Sequence, residues 1–281
     1  MFRKPNPGGF CIYATKVENY EYHSSNKIVY FSKKDSNCFQ NLTFAANFVT
    51  MILCLETATP VCSVALNDGN KTLAQRECTG QNAHSEKITI FIKEVLDEVG
   101  IGYDQLDAVA VSMGPGSYTG LRIGVSTAKG VCYAADRKMM AVDTLQAMAF
   151  GMHQQLADKL QPNDLLIPMI DARRMEVYAS IFDANLNKIQ DTAALVIDEH
   201  SFEDLLSEHR IWLFGDGAPK LEKVFGGNEK VQIVNGFTPS AAYMAPLVDK
   251  ALQENQFVDV AYFEPFYLKD FVAGKPHVKG L

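Results

Sequence analysis

From Met51 onward, apolar and polar positions alternate in short runs separated by turn residues. "MILCLETATPVCSVALNDGNKTLAQREC" (51–78) predicts strand, tight polar turn, strand, Asp68-Gly69 turn and strand, a β-meander. In "HSEKITIFIKEVLDEVG" (84–100), Ile88, Phe91, Ile92, Val95, Leu96 and Val99 recur at three and four, which predicts an amphipathic helix closed by Gly100. Ser85 is its expected N-cap, with Glu86 in the first turn where the helix dipole favours an acid. "LDAVAVSMG" (106–114) reads as a short buried strand and "GLRIGVSTAKGVCYAA" (120–135) as a helix of small residues. "DTLQAMAFGMHQQLADKL" (143–160) is a further helix, capped by Asp143.

The same grammar then returns. "DLLIPMIDARRMEVYASIFDANLNKIQD" (164–191) again gives strand, Asp-containing turn, strand, turn, strand. "IWLFGDGAPKLEKVF" (211–225) is strand, glycine turn, helix; "SAAYMAPLVDKALQEN" (240–255) is a helix; and "FEPFYLKD" (263–270) ends the fold. A meander followed by helices thus occurs twice, and 281 residues suit two lobes of similar size. The expected class is α/β, with the duplicated architecture of the actin, Hsp70 and sugar-kinase superfold. A lobe over 51–160 and a lobe over 161–281 would each hold a mixed sheet and packed helices.

Residues 1–50 break this pattern. They are rich in Asn, Ser, Lys and Tyr, with weak periodicity, and read as an extension outside the fold or the product of an upstream start. They carry a formal charge of +3, which leaves −10 on residues 51–281. A body so acidic repels a polyanion, and no basic stripe with interleaved aromatics offsets it. Six cysteines (11, 38, 54, 62, 78, 132) form no C-x-x-C pair, so free thiols in a reducing cytoplasm are expected. No apolar run is long enough to span a bilayer, and no secretion signal opens the chain.

The chemistry concentrates on "SMGPGSYTGLRIG" (112–124). A Walker loop needs a lysine that this loop lacks, the Rossmann glycine spacing is missed by one residue, and Ser117 does not sit in a G-x-S-x-G elbow. A geometric reading remains. Gly120, Gly124 and Ala128 recur at four, which lays a groove of small residues along one helical face where another helix can approach closely. "GPGS" makes the sharp entry, and Ser117 caps the helix. The six histidines (23, 84, 153, 200, 209, 277) form no H-x-x-x-H pair, so no metal site is expected; His84 reads as a surface or interface residue. Nucleotide-dependent members of the superfold place an acid in the first turn of each lobe to hold hydrated Mg²⁺. Here those turns carry Glu56 and Asp171, and Gly215, Asp216 and Gly217 stand where an adenosine would pass. Asp171 beside Arg173 and Arg174 is equally well read as an ion pair that orders a turn.

"ETATPVCSVAL", "HSEKI", "AVSMGPGSYTGLRIGVSTAKG", "DTLQAMA", "IDARRMEVYAS", "GDGA" and "EPFYLKD" together resemble the TsaB (YeaZ) family over essentially all of 51–281. The resemblance implies a non-catalytic partner in synthesis of threonylcarbamoyladenosine beside the tRNA anticodon. It implies pairing with a TsaD-like catalytic sister that holds the metal, association with a TsaE-like ATPase, and a homodimer in the sister's absence. tRNA would be reached only through the complex, and ATP or ADP with Mg²⁺ would belong to the complex. The pairing surface implied is a four-helix bundle using Ser85, Ile88, Ile92 and Val95 with Thr119, Gly120, Arg122, Ile123, Gly124 and Ser126. Two departures stand out: Glu56 replaces the family's Asp, and residues 1–50 have no counterpart. The alternatives are an ATP-dependent kinase or ATPase built on Glu56 and Asp171, and a glycoprotease-like metallopeptidase, which the histidine spacing disfavours.

Overall fold

The computed structural model describes residues 11–13, 21–24, 27–30, 50–80 and 82–269. In the first fifty residues, β1 (Cys11–Tyr13), β2 (Glu21–Ser24) and β3 (Lys27–Tyr30) pair antiparallel in sequence order. Most of the expected N-terminal extension lies outside the described residues, as does Asp270 at the end of "FEPFYLKD".

The alternation from Met51 builds β4 (Met51–Glu56), β5 (Val61–Asp68) and β6 (Lys71–Thr79) into the expected meander. There follow α1 (Ala83–Val99), β7 (Ala108–Gly114), α2 (Tyr118–Ala135), β8 (Lys138–Asp143) and α3 (Thr144–Gln155). The second lobe repeats the path with β9 (Asp164–Asp171), β10 (Glu176–Asp183), β11 (Lys188–Val196), α4 (Glu203–Glu208), β12 (Arg210–Phe214), α5 (Glu222–Phe225), β13 (Val231–Val234) and α6 (Ala245–Gln253). The sheets have the orders β6-β5-β4-β7-β8 and β11-β10-β9-β12-β13. In each, the first three strands are antiparallel, and the fourth and fifth run parallel to the first. Two copies of one topology are the duplicated α/β superfold expected from the sequence.

Burial follows from layering. One face of the N-lobe sheet packs Leu53, Val64 and Val109 against Ile88, Ile92 and Val95 of α1 and Val125 and Ala128 of α2. Its other face receives Ala241, Met244 and Val248, from the short 3-10 turn Ala241–Met244 and from α6. The C-lobe sheet packs Leu166, Phe182 and Phe214 against Leu145, Met148 and Met152 of α3. Each lobe's last helix therefore covers the other lobe's sheet. The two meet where Gly151 lies against the Tyr243 ring, in space that a Cβ would fill.

Local signals place the elements, with shifts at their ends: the helix expected over 143–160 stops at Gln155, and the one expected over 240–255 opens with the 3-10 turn Ala241–Met244. Gly100 ends α1 in the left-handed conformation, Ser117 caps α2 by accepting from the Gly120 N–H (3.2 Å), and Asp143 caps α3 by accepting from Gln146 (3.1 Å). Ser85 is not the cap of α1. The cap position falls at Asn82 and the helix begins at Ala83, so Ser85 lies in the first turn and its Oγ donates back to the Asn82 carbonyl (3.0 Å). Among the described residues, no helix is long and apolar enough to cross a membrane.

Asp164 is the charged group that ties the start of β9, the central strand of the C-lobe sheet, to the start of β12. Buried at the start of β9, it accepts from Arg210 Nη2 (2.5 Å) and Nε (2.9 Å), from the Trp212 indole N–H (2.9 Å) and from the Gln161 N–H (2.9 Å). Burial works to raise its pKa, but these donors hold the carboxyl below its ordinary range. Stability from this group is complete above the unfolded-state pKa of about 4 and is lost as pH falls through the lower folded value. Asp164→Ala removes the anion paired with Arg210, leaves the buried indole N–H without its acceptor, and is expected to cost about 3 kcal/mol in a urea titration at pH 7. A loss below about 0.5 kcal/mol would show that the network carries no load.

Candidate functional site

The N-lobe turn after β4 is where the superfold's acid would meet a phosphate, and in this chain the turn is closed. Glu56 is fully buried, and its Oε1 accepts the N–H of Ala58 two residues on (2.6 Å). The Thr57 N–H donates to Ser112 Oγ at the end of β7 (3.2 Å), and the Ala58 carbonyl accepts from the Ser117 N–H (2.7 Å). Glu56 Oε2 and Thr57 Oγ1 find no partner among the described residues. Burial pushes the Glu56 carboxyl up to about 7, against the opposing bond from the Ala58 N–H.

The glycines of α2 receive this turn. A Cβ on Gly120 would collide with the Thr57 carbonyl oxygen, one on Gly124 with Thr57 Oγ1, and one on Gly116 with the Ala58 carbonyl. Gly120 and Gly124 are buried. The expectation of an open groove for a foreign helix at Gly120 and Gly124 is thus corrected. Bare backbone does permit a close approach there, but the strand turn of the same lobe makes it.

The helical phase of the expected surface is corrected as well. Ile88, Ile92 and Val95 point into the N-lobe core and are buried, and Ile123 is half-buried against the same core. Ser85, Thr119, Arg122 and Ser126 are exposed. Sequence reasoning missed a second small-residue row on α2, offset from the buried row by two positions, about 200° around the helix. Ser126, Gly130 and Ala134 recur at four and are all exposed, and a Cβ on Gly130 would meet nothing within 4 Å. Tyr133, on the same helix, is 88% exposed, and Ile90 of α1 is 46% exposed. Gly130 and Ala134 also line a groove of about 500 Å³ with Tyr103 and Val131. The four-residue spacing of this row was readable; which of the two rows faces outward was not.

The C-terminal segment straps the glycine loop. The Phe266 N–H donates to the Met113 carbonyl (2.7 Å), and Gly114, at φ 112°, has no Cβ to meet the Phe266 carbonyl. Arg122 stacks on Tyr118 (4.4 Å to the ring centroid), and its Nε donates to the Tyr267 hydroxyl (3.3 Å). His84 is half-buried, with Nε2 3.0 Å from the Val61 carbonyl.

In the C-lobe, Asp171 and the glycine turn do come together. Asp216 Oδ1 accepts the Asp171 N–H (3.1 Å), and the Gly217 N–H donates to the Met169 carbonyl (3.2 Å). Gly215, at φ 101°, leaves the space that Met169 and Met148 fill. Burial raises the Asp216 pKa, opposed first by that backbone bond. The Asp171 carboxylate pairs with Lys220 and accepts the Arg173 N–H (2.9 Å). The expected side-chain pairing of Asp171 with Arg173 and Arg174 is corrected: Lys220 occupies that carboxylate. Glu56 does not join this group; it is sealed within its own turn. Burial also keeps the Cys54 and Cys62 thiols protonated, pushed up to about 12.

Two measurements test the closed turn. Gly124→Val forces a side chain into Thr57 and is expected to cost at least about 2 kcal/mol in chemical denaturation, whereas a neutral result would reopen the groove reading. Because the folded Glu56 pKa lies above the unfolded one, its contribution declines as pH rises from about 4 to about 7. Glu56→Gln is expected to flatten that decline and to be more stable than the parent at pH 8, on the order of 1–3 kcal/mol. An unchanged pH profile would show that the carboxyl is not held neutral.

Residues 73–274 match the family model described as TsaD: tRNA N6-adenosine threonylcarbamoyltransferase. The tRNA threonylcarbamoyladenosine biosynthesis protein TsaB of Escherichia coli K12 is 30% identical over 230 residues, covering 80% of this chain and 96% of that relative. The TsaB protein of Haemophilus influenzae is 39% identical over 142 residues, covering 50% of this chain and 54% of the relative. Among solved structures, YeaZ from Pseudomonas aeruginosa superposes with a TM-score of 0.67 at 24% identity, over 78% of this chain and all of that one, a likeness of fold.

Proposed function

We propose that this chain, which belongs to the TsaB family of tRNA threonylcarbamoyladenosine biosynthesis proteins, is the non-catalytic partner of a TsaD-type transferase and pairs with it through the outer face of α1 and α2. The observation that carries this reading is a difference between two lobes of equal topology. The outer helices of the N-lobe run 17 and 18 residues, while their counterparts in the C-lobe run 6 and 4. The long pair carries the exposed row Ser126, Gly130 and Ala134 with Tyr133 on α2, and an exposed Ile90 on α1. Such a row lets a helix backbone come close, and a large exposed aromatic beside it supplies anchor area.

A supporting role, rather than chemistry of its own, fits the state of the acids. Glu56 is fully buried with Oε1 on the Ala58 N–H, and Asp171 Oδ1 is shared by Lys220 and the Arg173 N–H, an arrangement unlike an open carboxylate facing hydrated Mg²⁺. The residues offered for a weak nucleotide site (Glu56, Asp171, Gly215, Asp216 and Gly217) instead fix two turns of the chain. In isolation, two copies pair through the same face. A TsaE-type ATPase and tRNA join at the level of the assembly.

Gly130→Leu separates this face from the core. Because Gly130 sits in open space within a helix, the substitution is expected to leave the monomer as stable or up to about 1 kcal/mol more stable. It is expected to abolish co-elution with the TsaD-type partner on size exclusion and, with it, modified-nucleoside synthesis. Normal pairing by the folded variant, or synthesis by this chain without the partner, would overturn the reading.

A further inference from the structure

The turn between β9 and β10 holds an arrangement that folding alone does not explain. Arg173 and Arg174 are consecutive and both left-handed, at φ 69° and 49°. Each such non-glycine residue costs on the order of 1 kcal/mol, so the surroundings must impose the conformation. They do so through backbone and anchor bonds. The Arg173 N–H donates to Asp171 Oδ1 (2.9 Å), the Arg173 carbonyl accepts from the Glu176 N–H (3.1 Å), and the Ala172 N–H donates to the Glu176 carbonyl (3.1 Å). Lys220 ties Asp171 to that same Glu176 carbonyl (2.5 Å), and Lys269 of the C-terminal strap pairs with the Glu176 carboxylate. The two acids nearest in sequence to the arginines, Asp171 and Glu176, thus pair with lysines instead. Both guanidinium groups stand exposed, with no ion pair or hydrogen bond among the described residues.

We propose that the Arg173–Arg174 turn is an anion contact that takes a phosphodiester of the RNA bound by the assembled complex. The inference rests on the function proposed above and assigns a task to this chain within it. Two planar guanidinium forks match phosphate oxygens bidentately. The turn lies at the carboxyl end of β9, the end of a parallel strand set where ligands meet open α/β sheets. A free nucleotide fits less well, because its Mg²⁺ would need the Asp171 carboxylate that Lys220 holds. The formal charge of −10 on residues 51–281 confines a polyanion to such a local cationic point.

The test uses the full chain assembled with its TsaD-type partner and an unmodified tRNA transcript, with binding measured by filter retention from 50 to 300 mM salt. Asparagine tolerates the left-handed conformation, so R173N/R174N removes both charges while keeping the turn. Expected are unchanged co-elution with the partner, tRNA affinity lower by about tenfold at 100 mM salt, and a salt slope shallower by roughly 1 to 2. R173K/R174K keeps the charge without the fork and is expected to retain the slope while losing part of the affinity. Parental affinity and slope in the asparagine variant, with the parent complex binding tRNA, would overturn the anion contact and leave the proposed function standing. Loss of co-elution in that variant would overturn it in favour of an acidic protein face. A parent complex that neither assembles nor binds tRNA would instead remove the function on which the inference rests.

Discussion

Gly116, Gly120 and Gly124 leave no side chain between α2 and the Thr57–Ala58 turn, and the N-lobe is arranged around that contact. The turn can then follow β4 without a spacer and bury Glu56 beneath it. Its Ala58 carbonyl accepts the Ser117 N–H that starts α2. One missing atom per glycine therefore sets the distance from strand to helix, the seat of a helix N-terminus and the environment of a carboxyl. The loop where a nucleotide-using relative of this topology would admit a phosphate is filled by the chain's own backbone.

The duplication shows the same economy on a larger scale. Both lobes run meander, helix, strand, helix, strand, helix, and each sends its last helix to the other's sheet, so neither core is complete alone. Their outer layers have diverged. The N-lobe keeps two long helices whose buried sides carry Ile88, Ile92, Val125 and Ala128 and whose outer side carries Ser126, Gly130 and Tyr133. A helix with apolar or small residues on both sides is over-provided for one sheet, and that surplus directs the functional reading to this face.

Electrostatics divide the lobes differently. In the N-lobe turn, burial outweighs the hydrogen bonds that favour charge and holds a carboxyl toward its neutral form. In the C-lobe turn, Asp171, Lys220, Glu176 and Lys269 neutralise one another in a chain, which leaves the two arginines beside them outside the balance. Lys269 belongs to the strap whose Phe266 also bonds Met113, so the glycine loop of the N-lobe and the first-strand turn of the C-lobe are linked through one C-terminal segment.

The sequence by itself determined the two meanders, the presence of α1, α2 and α3, the caps at Ser117, Asp143 and Gly100, and the repeat that makes two lobes. Each follows from local periodicity or from one residue's conformational preference, and these act within a few residues along the chain. It did not reveal β8, α4 or β13, which are short and owe their place to neighbouring strands and not to their own pattern. Nor did it reveal which face of α2 is covered. Gly120–Gly124–Ala128 and Ser126–Gly130–Ala134 carry the same spacing and equally small side chains, and the approach of Thr57, far upstream in the chain, distinguishes them. The partner of Asp171 was decided in the same way: proximity in sequence offered Arg173 and Arg174, but the fold brought Lys220 to the carboxylate across the glycine turn. Periodicity tells that a side is special; contact between distant segments tells to whom it belongs.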